Sequence, residues 1–179
     1  MRKLSLSLAP LFVAGALLGC SNTNKAPDVT DNVRKALDQA GFKDVSVKQD
    51  RDKGVVTLTG TVPTDSDKAQ AESIAKANAE SQVVSDEISV RPPGYESEAK
   101  TVESDTDKAI EKNVDATLVK HRLKKGVSYE VKNGVVTLTG HVPTQSKRQQ
   151  VENVVKTVPN VQQVVNELEV KNQRASSTS

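Results

Sequence analysis

The sequence predicts an α+β protein made of two tandem αββαβ units. Each unit is expected to be a two-layer sandwich in which two helices pack on a small three-stranded mixed sheet. The first observation is a repeat: the eleven residues Gly54–Thr64 return as Gly134–Thr144 with ten identities, at a constant offset of eighty. The second is that helix and strand patterns follow one another in the same order in both copies. Because the unit occurs only twice, we expect two small domains rather than a solenoid, which needs a longer stack.

Each copy is predicted to begin with an amphipathic helix, which covers residues 106–122 in the second copy. Ser104 and Asp107 have the spacing of a capping box at its start. Apolar positions recur at helical spacing along one face, at Ile110, Val114 and Leu118 together with His121. The corresponding face of the first copy carries Val33, Leu37 and Ala40. These faces are expected to lie on the sheet.

A β-hairpin follows the first helix. Val127–Val131 alternates as a strand, an Asn-Gly pair supplies the turn, and Val135–Val142 is the second strand. The residues that this strand presents to the helices are Val136, Leu138 and Val142. Gly140 falls on the same inward register, as Gly60 does in the first copy. The missing side chain is predicted to let a helix approach the sheet closely.

A second helix and a third strand close the unit. Ser146 and Gln149 have capping-box spacing, and Pro159 ends the helical pattern. The apolar residues of this helix are Val151, Val154, Val155 and Val158. Val164–Val170 is the last strand, parallel to the preceding one because strand–helix–strand connections are right-handed. The matching positions of the first copy are Ala71, Ile74 and Ala75, so its second helix is poorer in branched apolar residues, and Ile88 and Val90 lie on its last strand.

The N-terminus has the pattern of an export signal. Two cations precede a short apolar run that ends at Gly19, and Cys20, the only cysteine in the chain, follows. This arrangement resembles the lipobox of bacterial lipoproteins, which implies cleavage before Cys20 and lipidation of its sulfur. Ser21 carries no negative charge, so the resemblance implies an outer-membrane anchor that faces the periplasm.

Changes in composition divide the rest of the chain. A polar stretch follows the cysteine, a run rich in proline, glycine and acidic residues separates the copies, and the C-terminus is polar. The predicted organisation is a signal at 1–19, a tether at 20–27, units at 28–91 and 105–171, a linker at 92–104 and a disordered tail at 172–179.

Charge distinguishes the two copies. The chain has 25 basic and 23 acidic residues, but residues 28–91 carry a net charge of −3 and residues 105–171 a net charge of +3. The basic residues of interest in the second copy are Lys120, Arg122, Lys124, Lys125, Lys147 and Arg148. The first four lie at the C-terminal end of a predicted helix, where cations also interact favourably with the helix dipole. The last two open a helix, where that explanation has the wrong sign. Phospholipid headgroup binding and a solvated face both stay open.

Enzyme chemistry has little support in the sequence. The two histidines, His121 and His141, form no metal-ligand spacing, and Cys20 is assigned to the anchor. Alternating threonines, at Thr57, Thr59, Thr137 and Thr139, are expected on the solvent face of the sheet. We therefore predict no catalytic residue, no metal and no cofactor. Export, balanced charge and few aromatic residues also argue against nucleic acid as a partner.

The duplicated motif identifies a family resemblance. Both copies have a Gly-Val-Val-x-Leu-x-Gly strand, at Gly54–Gly60 and Gly134–Gly140, and a closing segment, at Val84–Val90 and Val164–Val170. With the export signal, this arrangement resembles that of BON-domain proteins. The resemblance implies a periplasmic or envelope protein of the osmotic-stress and outer-membrane-maintenance type that associates with phospholipid through its αββαβ modules.

Two functional hypotheses follow. The first is a non-enzymatic lipoprotein whose second domain contacts anionic phospholipid and supports envelope integrity or stress tolerance. The alternative is a periplasmic scaffold whose exposed strand edges or helix grooves bind an envelope protein.

Overall fold

A computed structural model describes residues 25–170, and both copies fold as αββαβ units. The elements of the first unit are α1 (Thr30–Gln39), β1 (Val45–Asp50), β2 (Val55–Val62), α2 (Asp65–Asn78) and β3 (Val83–Val90). Those of the second unit are α3 (Glu96–Lys120), β4 (Val127–Lys132), β5 (Val135–Val142), α4 (Gln145–Val155), β6 (Gln163–Asn166) and β7 (Glu169–Val170). The predicted fold class and element order are confirmed.

The two sheets have the same topology. In the first, β2 lies between an antiparallel β1 and a parallel β3. In the second, β5 pairs antiparallel with β4 and parallel with both β6 and β7. The parallel pairing confirms the prediction made from connection handedness. The hairpin turn uses positive φ at Asn133 and Gly134, as the Asn-Gly signal requires.

Each unit has its own core between sheet and helices. The helices of the first unit contribute Val33, Leu37, Ala71 and Ala75, and Ala79 follows directly after α2. Those of the second unit contribute Ile110, Val114, Leu118, Val151 and Val155. Ala40 and His121, expected on the buried helix faces, are exposed because α1 ends at Gln39 and α3 at Lys120. The buried residues of α2 are alanines, whereas those of α4 are valines. The first unit therefore buries less apolar volume between its second helix and its sheet.

Gly60 and Gly140 are required for a different reason from the one predicted. Both have positive φ, +125° and +112°. A Cβ on Gly60 would overlap the carbonyl oxygen of Asp44, and one on Gly140 that of Gly126. The close approach is therefore made by the backbone entering the adjacent strand and not by a helix.

The start of α3 differs from the prediction. The helix begins at Glu96 instead of residue 106, so most of the segment interpreted as a linker is helical, and Ser104 lies within the helix instead of capping it. The cap of α4 also differs: Thr144 Oγ1, not Ser146, accepts the backbone N–H of Lys147 at 3.1 Å. The corresponding cap of α2 is Thr64, which accepts from Asp67 at 3.1 Å.

The outer faces of the two sheets are partly covered, although the sequence predicted that their threonines lie on a solvent face. Val55 of the first unit packs with Val135 and Val165 of the second. Ser85 and Ser89 of β3 are also buried, although both belong to the outer face. The units are therefore packed together through their sheets, and Thr57, Thr59 and Thr137 are only partly exposed while Thr139 is exposed.

Polar contacts join the units around β3. Asn133 Nδ2 donates to the carbonyl of Glu87 at 2.7 Å and to Ser89 Oγ at 3.0 Å. Lys132 pairs with the Glu87 carboxylate at 2.9 Å. Gln163 also reaches β3 with its side-chain amide. These contacts place the second unit beside the edge strand of the first.

The last strand of the second unit is interrupted. The prediction was one strand over residues 164–170, but β6 ends at Asn166 and β7 begins at Glu169. Asn166 Oδ1 accepts the backbone N–H of Leu168 at 3.2 Å across the break.

Several predictions concern residues outside the described range. These are the signal at 1–19, Cys20, the start of the tether and the tail at 172–179. Among residues 25–170, no helix combines the length and apolar character needed to cross a bilayer.

Candidate functional site

The fold brings the two basic segments of the second unit to the same end of its sheet. The loop after α3 carries Arg122, Lys124 and Lys125 and leads into β4. Its last residue, Gly126, accepts the backbone N–H of His141 near the end of β5 at 2.8 Å. Helix α4 starts three residues after β5 ends, so its first turn lies at this end too. We call this surface the cationic end.

Arg122 holds an unfavourable backbone conformation at the cationic end. The N–H of Leu123 bonds to the Leu118 carbonyl at 2.8 Å and closes α3 with a C-terminal turn in which Arg122 has φ +56°. The first unit places Gly41, with φ +92°, in the equivalent turn. A non-glycine residue in this region costs on the order of 1 kcal/mol. The exposed Arg122 side chain therefore lies at a backbone position that glycine adopts without this cost.

Lys124 is held in place by two side chains of its own unit. Its Nζ pairs with Asp115 at 2.6 Å and lies 4.3 Å from the centre of the Tyr129 ring. Tyr129 Oη in turn lies 3.2 Å from the Asp115 carboxylate. The bond from Lys124 lowers the pKa of Asp115, and the same bond raises the pKa of Lys124. Asp115 therefore offsets part of the positive charge at this position.

The start of α4 is more basic than its counterpart. The first turn of α2 has two acidic residues, Asp65 and Asp67, whereas that of α4 has none. Lys147 lies in that turn and is partly exposed. Helix N-termini favour negative charge because their N–H groups point outward. The first turn of α4 therefore presents two sources of positive potential together.

Arg148, unlike Lys147, is directed into the fold and has a structural role. Its Nη2 donates to the backbone carbonyl of Asn166 at 2.6 Å, and Asn166 Nδ2 donates back to the Arg148 carbonyl at 3.3 Å. Asn166 also donates to Glu152 at 2.8 Å. The sequence analysis did not predict this contact. The duplication offered a signal, because the two copies differ at both positions: Lys68 and Asp86 of the first copy are replaced by Arg148 and Asn166 in the second.

Four of the six predicted cations remain available at the cationic end. Between Lys25 and Val170, no ion pair involves Lys120, Arg122, Lys125 or Lys147. The first three are exposed. The surface is therefore built from these four residues, with Lys124 partly neutralised and Arg148 directed into the fold.

The histidines have ordinary surroundings. His121 is the exposed C-terminal cap of α3. His141 Nε2 lies 3.0 Å from Glu169, a carboxylate that Lys53 of the first unit also contacts. Within the described part of the chain, no three residues of the types that bind metals cluster closely enough to hold an ion.

Comparison with known proteins agrees with this architecture. The family model for the BON domain matches residues 25–92 and again residues 106–172. Osmotically-inducible protein Y of Escherichia coli is 32% identical over 148 residues, covering 80% of this chain and 71% of that protein. An uncharacterized protein from the gshII 5′ region of Anaplasma centrale is 31% identical over 145 residues, covering 79% of this chain and 92% of that protein. Neither the family model nor these names indicates a catalytic family.

A solved structure shares a more distant likeness. The C-terminal domain of CdsD, a structural protein of the type III secretion system of Chlamydia trachomatis, aligns with 81% of this chain and 98% of its own. The TM-score is 0.35 and the identity 15%, too low to bear on function. The two family matches, the repeated αββαβ fold and the two relatives above 30% identity lead to one conclusion: the chain belongs to the BON-domain family and carries two BON domains in tandem.

Proposed function

We propose that this chain is a non-enzymatic envelope lipoprotein whose second BON domain associates with anionic phospholipid. The observation that carries the proposal is the cationic end, where separate segments contribute Lys120, Arg122, Lys125 and Lys147 to one surface. The first BON domain has acidic residues at the equivalent helix start and is not expected to take part.

The proposed anchor is a lipid on Cys20, with the protein facing the periplasm from the outer membrane. Two or three acyl chains hold a protein firmly at a bilayer, whereas one chain binds reversibly. Anchoring raises the effective concentration of headgroups near the domains, so weak contacts suffice. The similarity to a protein named as osmotically inducible supports a role in stress tolerance or envelope integrity.

The expected contact is electrostatic and shallow. A Lys or Arg near an anionic bilayer contributes about 1 kcal/mol, so four cations contribute up to about 4 kcal/mol at low salt. The chain has no tryptophan and only two tyrosines, and Tyr129 is engaged with Lys124 and Asp115. Aromatic side chains that anchor proteins at the headgroup level are therefore scarce.

Vesicle co-sedimentation tests the proposal. The soluble chain without Cys20 is mixed with vesicles of neutral lipid, with or without an anionic phospholipid, over a range of salt. We expect binding that requires the anionic lipid and weakens with salt. Changing Lys120, Arg122, Lys125 and Lys147 to Gln should remove most of this binding and flatten its salt dependence.

A matched control removes the same charge from the first domain. It changes Arg34, Lys35, Lys43 and Lys48 to Gln and should leave vesicle binding nearly unchanged. Equal losses in the two quadruple variants would show that net charge, and not the cationic end, governs binding. Parent-like binding by the first variant would refute the proposal.

A further inference from the structure

The outer edge of β3 is satisfied by side chains where a neighbouring strand would normally lie. Gln163 Nε2 donates to the Val84 carbonyl at 2.6 Å, and Gln163 Oε1 accepts the Asp86 N–H at 3.1 Å. A residue of a strand added parallel to β3 would use its own N–H and C=O for the same two groups. The next outward N–H, from Ile88, bonds to the Asp86 carboxylate at 3.1 Å. Gln163 therefore occupies the place of one residue of a fourth strand.

Two adjoining cavities run along this edge. One, of about 250 Å³, lies over Asp86 between the first turns of α2 and the pair Gln162 and Gln163. The other, of about 350 Å³, continues past Ile88 and Val90 to the N-terminal half of α3. Together they form a cleft between the two domains that follows the strand direction.

The cleft combines apolar and acidic walls. Ile88 and Val90 line it from β3, and Val102 of α3 lies at its mouth with 64% of its surface exposed. The lining carboxylates are Asp65, Glu72, Asp86, Glu103 and Asp107. Lys68 is the cation that lines both cavities, while Arg91 pairs with Glu103 at 3.6 Å and Lys76 with Glu72 at 2.6 Å. Carboxylates still outnumber cations, so the cleft favours a positively charged occupant.

We infer that the β3 edge is a docking site for an extended peptide that carries basic residues together with apolar ones. The peptide displaces the side chain of Gln163 and pairs its backbone with Val84 and Asp86, as in strand addition to a sheet edge. Carboxylates line the cleft from both α2 and α3, and Ile88 and Val102 lie among them, so basic side chains of the peptide can meet a carboxylate on either side of its backbone. The charge of this site is opposite to that of the cationic end, so the two surfaces are distinct.

Fluorescence polarisation of a labelled peptide of alternating lysine and valine tests the inference with the purified chain. Gln163→Ala should bind the peptide about fivefold more tightly than the parent, because binding no longer breaks two internal hydrogen bonds. Gln150→Ala is the matched control, since Gln150 is exposed on α4, and its affinity should equal that of the parent. A peptide with alternate backbone amides N-methylated keeps the charge and should not bind.

Amide hydrogen exchange provides a second readout at a named atom. The N–H of Asp86 should exchange faster in Gln163→Ala than in the parent and become protected again when the peptide is added. Absence of peptide binding to both proteins overturns the inference. Equal binding of the N-methylated peptide also overturns it, because the attraction would then be electrostatic alone.

Discussion

Asp86 and Asn166 occupy equivalent positions in the two BON domains, and each side chain accepts the backbone N–H two residues later. The distances are 3.1 Å from Ile88 to Asp86 and 3.2 Å from Leu168 to Asn166. The amide of Asn166 also donates to Glu152 at 2.8 Å. A carboxylate cannot donate in this way, so Asp86 lacks that bond to Glu72, the residue equivalent to Glu152, unless it is protonated.

Asp86→Asn should stabilise the protein at neutral pH. Burial raises the pKa of Asp86, with Lys68 and the N–H of Ile88 opposing the shift and Glu72 adding to it. The folded state thus keeps a proton that the unfolded chain has released, and stability falls as pH rises from the ordinary carboxyl value to the raised folded value. The Asp86→Asn variant has no carboxyl group at this position and therefore does not lose stability over this pH range. Its melting temperature should exceed that of the parent at pH 7. The advantage should shrink in acid.

The reciprocal variant tests the same reasoning in the second domain. Asn166→Asp places a carboxylate beside Glu152 and removes the hydrogen bonds that Asn166 donates to Glu152 and to the Arg148 carbonyl, at a cost of about 1–3 kcal/mol at pH 7. Urea unfolding at several pH values measures this cost, which should decrease when the new carboxyl is protonated. Stabilisation by Asn166→Asp would contradict the account given for Asp86.

Asp115→Asn should increase binding to anionic vesicles. Asp115 neutralises part of the charge of Lys124, and removing it adds one positive charge at the cationic end. The gain should be about 1 kcal/mol, or about fivefold in affinity, at low salt. Asp105→Asn is the control, because Asp105 pairs with Lys108 on the same helix but far from its C-terminus. Similar gains in both variants would argue for a net-charge effect.

Gly140→Ala should be much more destabilising than Gly94→Ala. Both glycines have positive φ, but the added Cβ would overlap the Gly126 carbonyl at the first site and meets no atom within 4 Å at the second. We expect a loss of about 3 kcal/mol or more at Gly140 and about 1 kcal/mol at Gly94. Urea unfolding of both variants measures the difference, and equal losses would mean that the strand approach is not tight.

Cys20→Ser tests the proposed anchor. Without the thiol no lipid is attached, so the protein should leave the detergent-extractable membrane fraction or remain as uncleaved precursor. Fractionation of cells with immunodetection measures both outcomes. A normally processed Cys20→Ser protein that still fractionates with membranes would disprove lipidation at this residue.

The sequence was sufficient for those features that depend on local pattern. The duplication and the alternation of side chains predicted β5 at its observed bounds, Val135–Val142, and the parallel pairing of the last strand. The start of α3 was missed because Glu96–Ser104 is polar and has no apolar stripe. The C-terminal half of α3 is packed on the sheet through Ile110, Val114 and Leu118. Residues 96–104 continue that helix and can therefore be helical without an apolar face of their own.

Only the tertiary structure decided how the domains meet and which cations stay available. Gln163 and Asp86 are 77 residues apart, and Arg148 and Asn166 are 18 apart, so neither contact follows from a local period. Periodicity reports which face of an element is buried, because backbone geometry fixes side-chain direction within that element. It does not report which distant side chain approaches that face or edge. The cationic end and the β3 cleft therefore became visible only when both sheets were placed in space.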